Sequence, residues 1–278
     1  MSETTLKSPN ESLDDDWFDN FMAGAETPAE REQRFRADMV GQWRGVLERS
    51  REDFLNLATE IKDPIEERRW DSVIGDDISG RLPSIFIHRL MKNYAQEHGL
   101  RSPTLLFVAP SNEEMSSGSY VDRFKGYRNQ QVIGKYLKDR QRRLGKRTLL
   151  VTEFIAQRRH ISRIINGLPR DTAFDVASLA ISSRRAKPGP GSMLYQHNGS
   201  RSLGQRIYYA QIGDSGAPEI YTSLARQAVG RVKSPWRPTS YRADGHDPRS
   251  VQRIQAMVID MADQIYDEVF RPKQTQNT

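Results

Sequence analysis

Arg147-Thr-Leu-Leu-Val-Thr-Glu-Phe-Ile-Ala-Gln-Arg-Arg-His-Ile161 is the stretch on which the fold turns. Arg147–Val151 is an apolar run without alternation, as expected for a strand buried on both faces of a parallel sheet. Glu153–Arg159 then reads as a loop, and Ile161–Leu168 as a helix. Upstream the same order occurs twice. Trp70–Gly75 is strand-like, Asp76–Arg81 is a polar glycine turn, and Pro83 opens a helix that reaches about His98. Thr104–Ala109 is a second buried strand ended by Pro110, followed by a Ser- and Gly-rich loop over 111–119 and a helix over about 127–144 with a basic polar face. Downstream, Phe174–Ile181 reads as a fourth strand. Strands alternating with helices predict an α/β fold of parallel units with right-handed crossovers. In such sheets ligands bind beyond the carboxyl ends of the strands.

Further from this centre the periodicity changes. Residues 28–69 read as a helical N-terminal extension: Thr27-Pro28 is a helix start, and Phe35, Met39, Trp43, Val46, Leu47, Phe54 and Leu55 recur at helical spacing. Residues 1–27 form an acidic, disordered tail whose only apolar cluster is Trp17, Phe18, Phe21 and Met22, with docking as the alternative role. Residues 183–271 are a C-terminal extension. In it KPGPG (187–191) reads as a linker or flexible loop, Arg206–Ile212 alternates like a strand, Ile220–Val229 reads as a short helix and Ser250–Phe270 as a long one. Residues 272–278 are a tail.

The 278 residues contain no cysteine, which removes disulfides, zinc–thiolate sites and a Cys nucleophile, and fits a reducing compartment. No run approaches the roughly 20 apolar residues of a membrane span, so the expectation is a cytoplasmic protein. HExxH, GxSxG and GxxxxGK[ST] patterns are absent. The net charge of +6 is unevenly placed: the start is acidic, while Arg140–Arg147, Arg158–Arg159 and Ser183–Lys187 are basic runs. These runs fit a solvated surface and an anion-binding one equally well. Arg231–Arg242, with Trp236 and Tyr241, has the composition of a nucleic-acid contact, but Pro-rich basic loops are common and this is the lesser reading.

The segment Arg147–Ile161 resembles the phosphoribosyl-diphosphate (PRPP) loop of type I phosphoribosyltransferases. In that family an apolar strand is followed by two acidic residues, two apolar positions, then Thr-Gly and a small hydroxyl residue at a helix start. Laid over it, Thr152 and Glu153 take the acidic positions that face the ribose, and Ile155 keeps the apolar spacing. Gln157, Arg158, Arg159 and His160 stand where the small residues that wrap the 5′-phosphate belong. Gly75-Asp-Asp-Ile-Ser-Gly-Arg81 sits where these enzymes place a pyrophosphate loop.

The resemblance covers residues 70–182 and implies a phosphoribosyltransferase-like core, with the C-terminal extension as its hood. It implies a ribose- and phosphate-binding set of Asp76, Asp77, Ser79, Gly80, Arg81, Thr152, Glu153, Gln157, Arg158, Arg159 and His160, with Mg²⁺ on Asp76 and Asp77. Two functions remain open. One is a glycosyltransferase that moves a phosphoribosyl group from PRPP. The other is a non-catalytic relative that senses a nucleotide and acts through a protein or RNA partner. No catalytic residue is assigned, and self-association is left open. For Asp76 and Asp77 the alternative is an acidic turn capping a helix, and for Arg158, Arg159 and His160 a plain surface helix start. His88 and His98 read as packing or cap residues.

Overall fold

The computed structural model describes residues 28–76, 80–110, 120–155, 159–182, 206–213, 231–232, 237–239, 241–242 and 248–271. Two compact units divide the chain between Met39 and Val40, within the first helix, α1 (Pro28–Arg49). The larger unit, from Val40 onward, holds the sheet.

Five strands form that sheet: β1 (Ser72–Asp76), β2 (Thr104–Val108), β3 (Arg147–Ile155), β4 (Ala173–Ser182) and β5 (Ile207–Gly213). All pairs are parallel and the order is β2-β1-β3-β4-β5. β1 to β4 are apolar runs, as befits strands covered on both faces, whereas the edge strand β5 alternates. On one face lie α2 (Arg51–Glu66) and α3 (Arg81–Glu97), with α7 (Pro248–Phe270) packed on both of them. The other face carries α4 (Tyr120–Asp139) and α6 (Arg159–Gly167), which pack together, while the short α5 (Gln141–Leu144) leads into β3. Ile74, Leu150 and Val176 of the strands meet Ile133 and Leu137 of α4 and Ile164 of α6 in one apolar cluster. A two-residue antiparallel pair, β6 (Arg231–Val232) with β7 (Tyr241–Arg242), completes the described elements.

Several boundaries differ from the sequence expectation. β3 continues through Thr152 and Glu153 to Ile155 instead of becoming a loop, because Thr152, Phe154 and Ile155 pair with Ser178, Ala180 and Ile181 of β4. α3 begins at Arg81, α4 at Tyr120 and α6 at Arg159, each ahead of the apolar periodicity that signalled it. The sheet does not end at residue 182: β5 adds to β4 from Val176↔Ile207 to Ser182↔Gly213. Nor is α2 an appendage, since it packs on β4 and β5 and buries Phe54, Leu57, Ala58 and Ile61. Residues 1–27, 111–119, 183–205, 214–230 and 272–278, with the tail, loop and helix expected there, lie outside the described residues.

At the N-terminal ends of the strands the sheet is tied by Asp175, 4% exposed. One of its oxygens accepts from Arg69 Nε at 2.8 Å and Trp70 Nε1 at 2.9 Å, and the other accepts the Arg206 amide at 2.7 Å. Trp70 meets Tyr208 edge to face, with ring centres 5.5 Å apart. This clamp joins the start of β1 to β4 and β5 across the intervening β3.

Candidate functional site

The order β2-β1-β3 creates a switch point. The connection from β1 to β2 runs through α3 on one face, and that from β2 to β3 through α4 on the other, so a crevice opens where β1 and β3 end. Their pairing stops at Gly75↔Val151. Asp76 on β1 and Thr152 and Glu153 on β3 are the next residues on either side. All three are buried, at 1%, 4% and 1% exposure.

Glycines let the turn after β1 close onto β3. A methyl group added at Gly80 would overlap the Val151 carbonyl oxygen and crowd the backbone of Asp76, so the chain lies directly on β3. The Gly80 amide donates to the Asp76 carbonyl at 2.8 Å, and the Ser84 hydroxyl and amide both return to the Gly80 carbonyl. Gly75 is equally confined, since a methyl group there would run into Ser84. Only residues without a side chain permit these approaches. Arg81, the first residue of α3, is 8% exposed and lays its guanidinium over the Phe107 ring of β2 at 3.9 Å.

Glu153 is the electrostatic centre of the crevice. Strand alternation places it on the face of Val151 and Leu149. Neither carboxyl oxygen has a hydrogen-bond partner among the described residues. Burial first, and the nearby Asp76 carboxylate second, push its proton affinity well above the ordinary carboxyl range. Its backbone is fixed more firmly than its side chain: Ser178 Oγ on β4, itself fully buried, lies 3.0 Å from the Glu153 carbonyl and 2.7 Å from that of Ala180. A buried carboxyl without donors is costly unless something else supplies them. The chemistry that satisfies it is a pair of hydroxyl groups or a hard cation.

Of the residues expected at the site, Asp76, Gly80, Arg81, Thr152 and Glu153 gather here from segments about 75 positions apart. Asp77, Ser79, Gln157 and Arg158 lie outside the described residues. Arg159 and His160 are the first residues of α6, and their side chains are not described. Among the described residues no three metal-ligating side chains cluster. His88 and His98 do not join the crevice. His88 Nε2 lies 3.1 Å from the Pro103 carbonyl, with burial as the main influence lowering its proton affinity, and His98 stacks on Tyr94 with ring centres 4.0 Å apart. The C-terminal segment reaches the same end of the sheet, where the Pro238 carbonyl accepts the Ala109 amide at 2.8 Å.

Sequence reasoning missed Phe107 beneath Arg81 and Ser178 behind Glu153. The first was one aromatic in an apolar run, and the second one small residue in another. Among the described residues no helix is long and apolar enough to cross a membrane. Comparison with protein-family models, curated proteins and solved structures gave no match.

Proposed function

We propose that this chain binds a phosphorylated ribose, PRPP or a nucleotide, in the crevice at the carboxyl ends of β1 and β3, as a phosphoribosyltransferase-like protein would. The observation that carries this reading is the Glu153 carboxyl, 1% exposed and without a donor among the described residues. Vicinal ribose hydroxyls supply two donors side by side, and in a dry crevice such bonds are stronger than in water. Asp76 and Glu153 also suit Mg²⁺ held jointly with a ligand's diphosphate, since that ion commonly takes one or two protein carboxylates and completes its shell with phosphate and water. Bound there, Mg²⁺ would neutralise the diphosphate. The N-terminal turn of α6 supplies backbone donors for the 5′-phosphate.

Transfer would break the bond from ribose C1 to the diphosphate oxygen and form one from C1 to the acceptor, with diphosphate leaving as the anion. The chain's part in that step is orientation and electrostatic support. Gln157 and Arg158 in place of Thr-Gly favour the second reading, binding without transfer, in which occupancy is relayed to a partner.

Calorimetry with PRPP, with and without Mg²⁺, and then with nucleoside monophosphates tests both. Saturable binding that weakens about tenfold or more in Glu153→Gln is the expected result, charged hydrogen bonds being worth roughly 1.5–3 kcal/mol. Wild-type protein that binds none of these ligands overturns the proposal. Binding without diphosphate release when bases are added selects the second reading.

A further inference from the structure

The opposite pole of the sheet, where β1 and β2 begin, holds a cavity of about 660 Å³. That volume suits one nucleotide-sized molecule. Four stretches of chain meet around it: the end of α2 with the start of β1, the last turns of α3, the lead into β2, and α5 with the lead into β3.

Six basic residues line it, Arg68, Arg69, Arg101, Arg142, Arg143 and Lys146, against two acidic ones, Glu67 and Asp71. Arg69 is held by Asp175, and Asp71 accepts the backbone amides of Lys146 and Arg147 at 2.8 and 3.1 Å. The other five cations are exposed, and among the described residues none of their side chains forms an ion pair. Between them the wall is apolar, with Met91, Leu100 and Pro103.

A second observation points to the same place. Arg68 has φ of 55° and is the one non-glycine residue with positive φ among the described residues. It caps α2: its amide donates to the Ile65 carbonyl at 3.0 Å, and the Arg69 amide donates to that of Pro64 at 2.9 Å. Glycine is the usual occupant of this capping position because it has no side chain to strain. The backbone therefore gains nothing from an arginine here. Its side chain lines the cavity.

We propose that this cavity is a second ligand site, for a nucleoside polyphosphate. Its phosphates would meet Arg68, Arg101, Arg142, Arg143 and Lys146, and its nucleoside the apolar wall. The site is independent of the ribose crevice, for the strands between them are five residues or longer and separate the two by roughly 17 Å or more. A cavity of this volume, with an apolar wall of Met91, Leu100 and Pro103 between the cations, favours a single small molecule over a nucleic-acid strand, which would track an extended groove.

Calorimetry of the full chain with ATP in the absence of Mg²⁺, beside tripolyphosphate and a single-stranded RNA dodecamer, tests it. The expected result is saturable ATP binding, weakened about tenfold or more by Arg68→Gly and by Arg143→Ala and weakened further by salt. Arg68→Gly should at the same time raise Tm by roughly 2–4 °C, so the loss cannot come from misfolding. ATP affinity unchanged in both variants overturns the proposal, as does ATP binding abolished only by Glu153→Gln, which belongs to the other crevice. Tripolyphosphate bound as tightly as ATP removes the nucleoside from the proposal. RNA bound more tightly than ATP replaces the small molecule altogether.

Discussion

Asp175 and Glu153 are buried carboxyls on neighbouring strands, at 4% and 1% exposure, with opposite surroundings. Asp175 accepts three hydrogen bonds from Arg69, Trp70 and the Arg206 amide. Glu153 has no acceptor role filled among the described residues, and its nearest charged influence is another carboxylate. Equal burial thus accompanies opposite energetics. A carboxylate whose donors come from its own fold stabilises that fold, whereas one whose donors are absent burdens it. The two ends of the sheet differ accordingly: at one a buried carboxylate is tied by its own fold's side chains, and at the other a buried carboxyl is left without donors among the described residues.

Removing the saturated carboxylate gives the largest effect. Asp175→Ala leaves a half-buried guanidinium, a buried indole N–H and an amide without their acceptor, and should cost about 3–5 kcal/mol in urea unfolding. A cost under about 1 kcal/mol would mean that the clamp is incidental and the contrast with Glu153 is lost.

Gly80→Ala comes next. The added methyl must push the turn off the Val151 carbonyl, at a cost of roughly 1–3 kcal/mol. It should also weaken PRPP binding by displacing Asp76 and Arg81 from the crevice. Unchanged stability would show that the turn after β1 has room to move, and that backbone closeness is not what shapes this end.

The smallest effect has the opposite sign. Because the folded-state proton affinity of Glu153 is raised, its penalty is absent below the unfolded carboxyl range near 4.5 and grows as pH rises above that value. Glu153→Gln should therefore match wild type near pH 4 and be more stable by on the order of 1–2 kcal/mol at pH 8, while losing ribose affinity. Differential melting from pH 4 to 8 reads it. A variant less stable than wild type at pH 8 would place Glu153 with Asp175 as a structural residue.

The parallel α/β architecture was legible because β1 to β4 are apolar runs separated by helical periodicity, a pattern local to each segment. The end of β3 was not. Thr152 and Glu153 interrupt the apolar run, and only pairing with Ser178 and Ala180 on β4, a contact remote in sequence, keeps the strand extended to Ile155. β5 was recognised as strand-like but not as part of the sheet, since the alternation in RIYYAQI carries no record of its neighbour. Asp175 did leave a trace: a carboxylate inside FDVASLAI had to be buried, and buried carboxylates need partners. At the crevice, Asp76 and Glu153 could be named because each follows closely on an apolar run, and Gly80 because it belongs to the polar glycine turn after the first. The basic cavity could not, for Arg68, Arg101 and Arg143 become neighbours only when β1 pairs with both β2 and β3.

The position of α7 sets a schedule for the chain's synthesis. Ile254, Val258, Met261 and Ile265 cover the outer sides of α2 and α3, yet α3 ends at Glu97 and α7 starts at Pro248. At about 5–20 residues per second the ribosome takes roughly 8–30 s to make the intervening 150 residues. Throughout that interval the helix that covers α2 and α3 has yet to be made, so the packing of this layer is completed only at the end of synthesis.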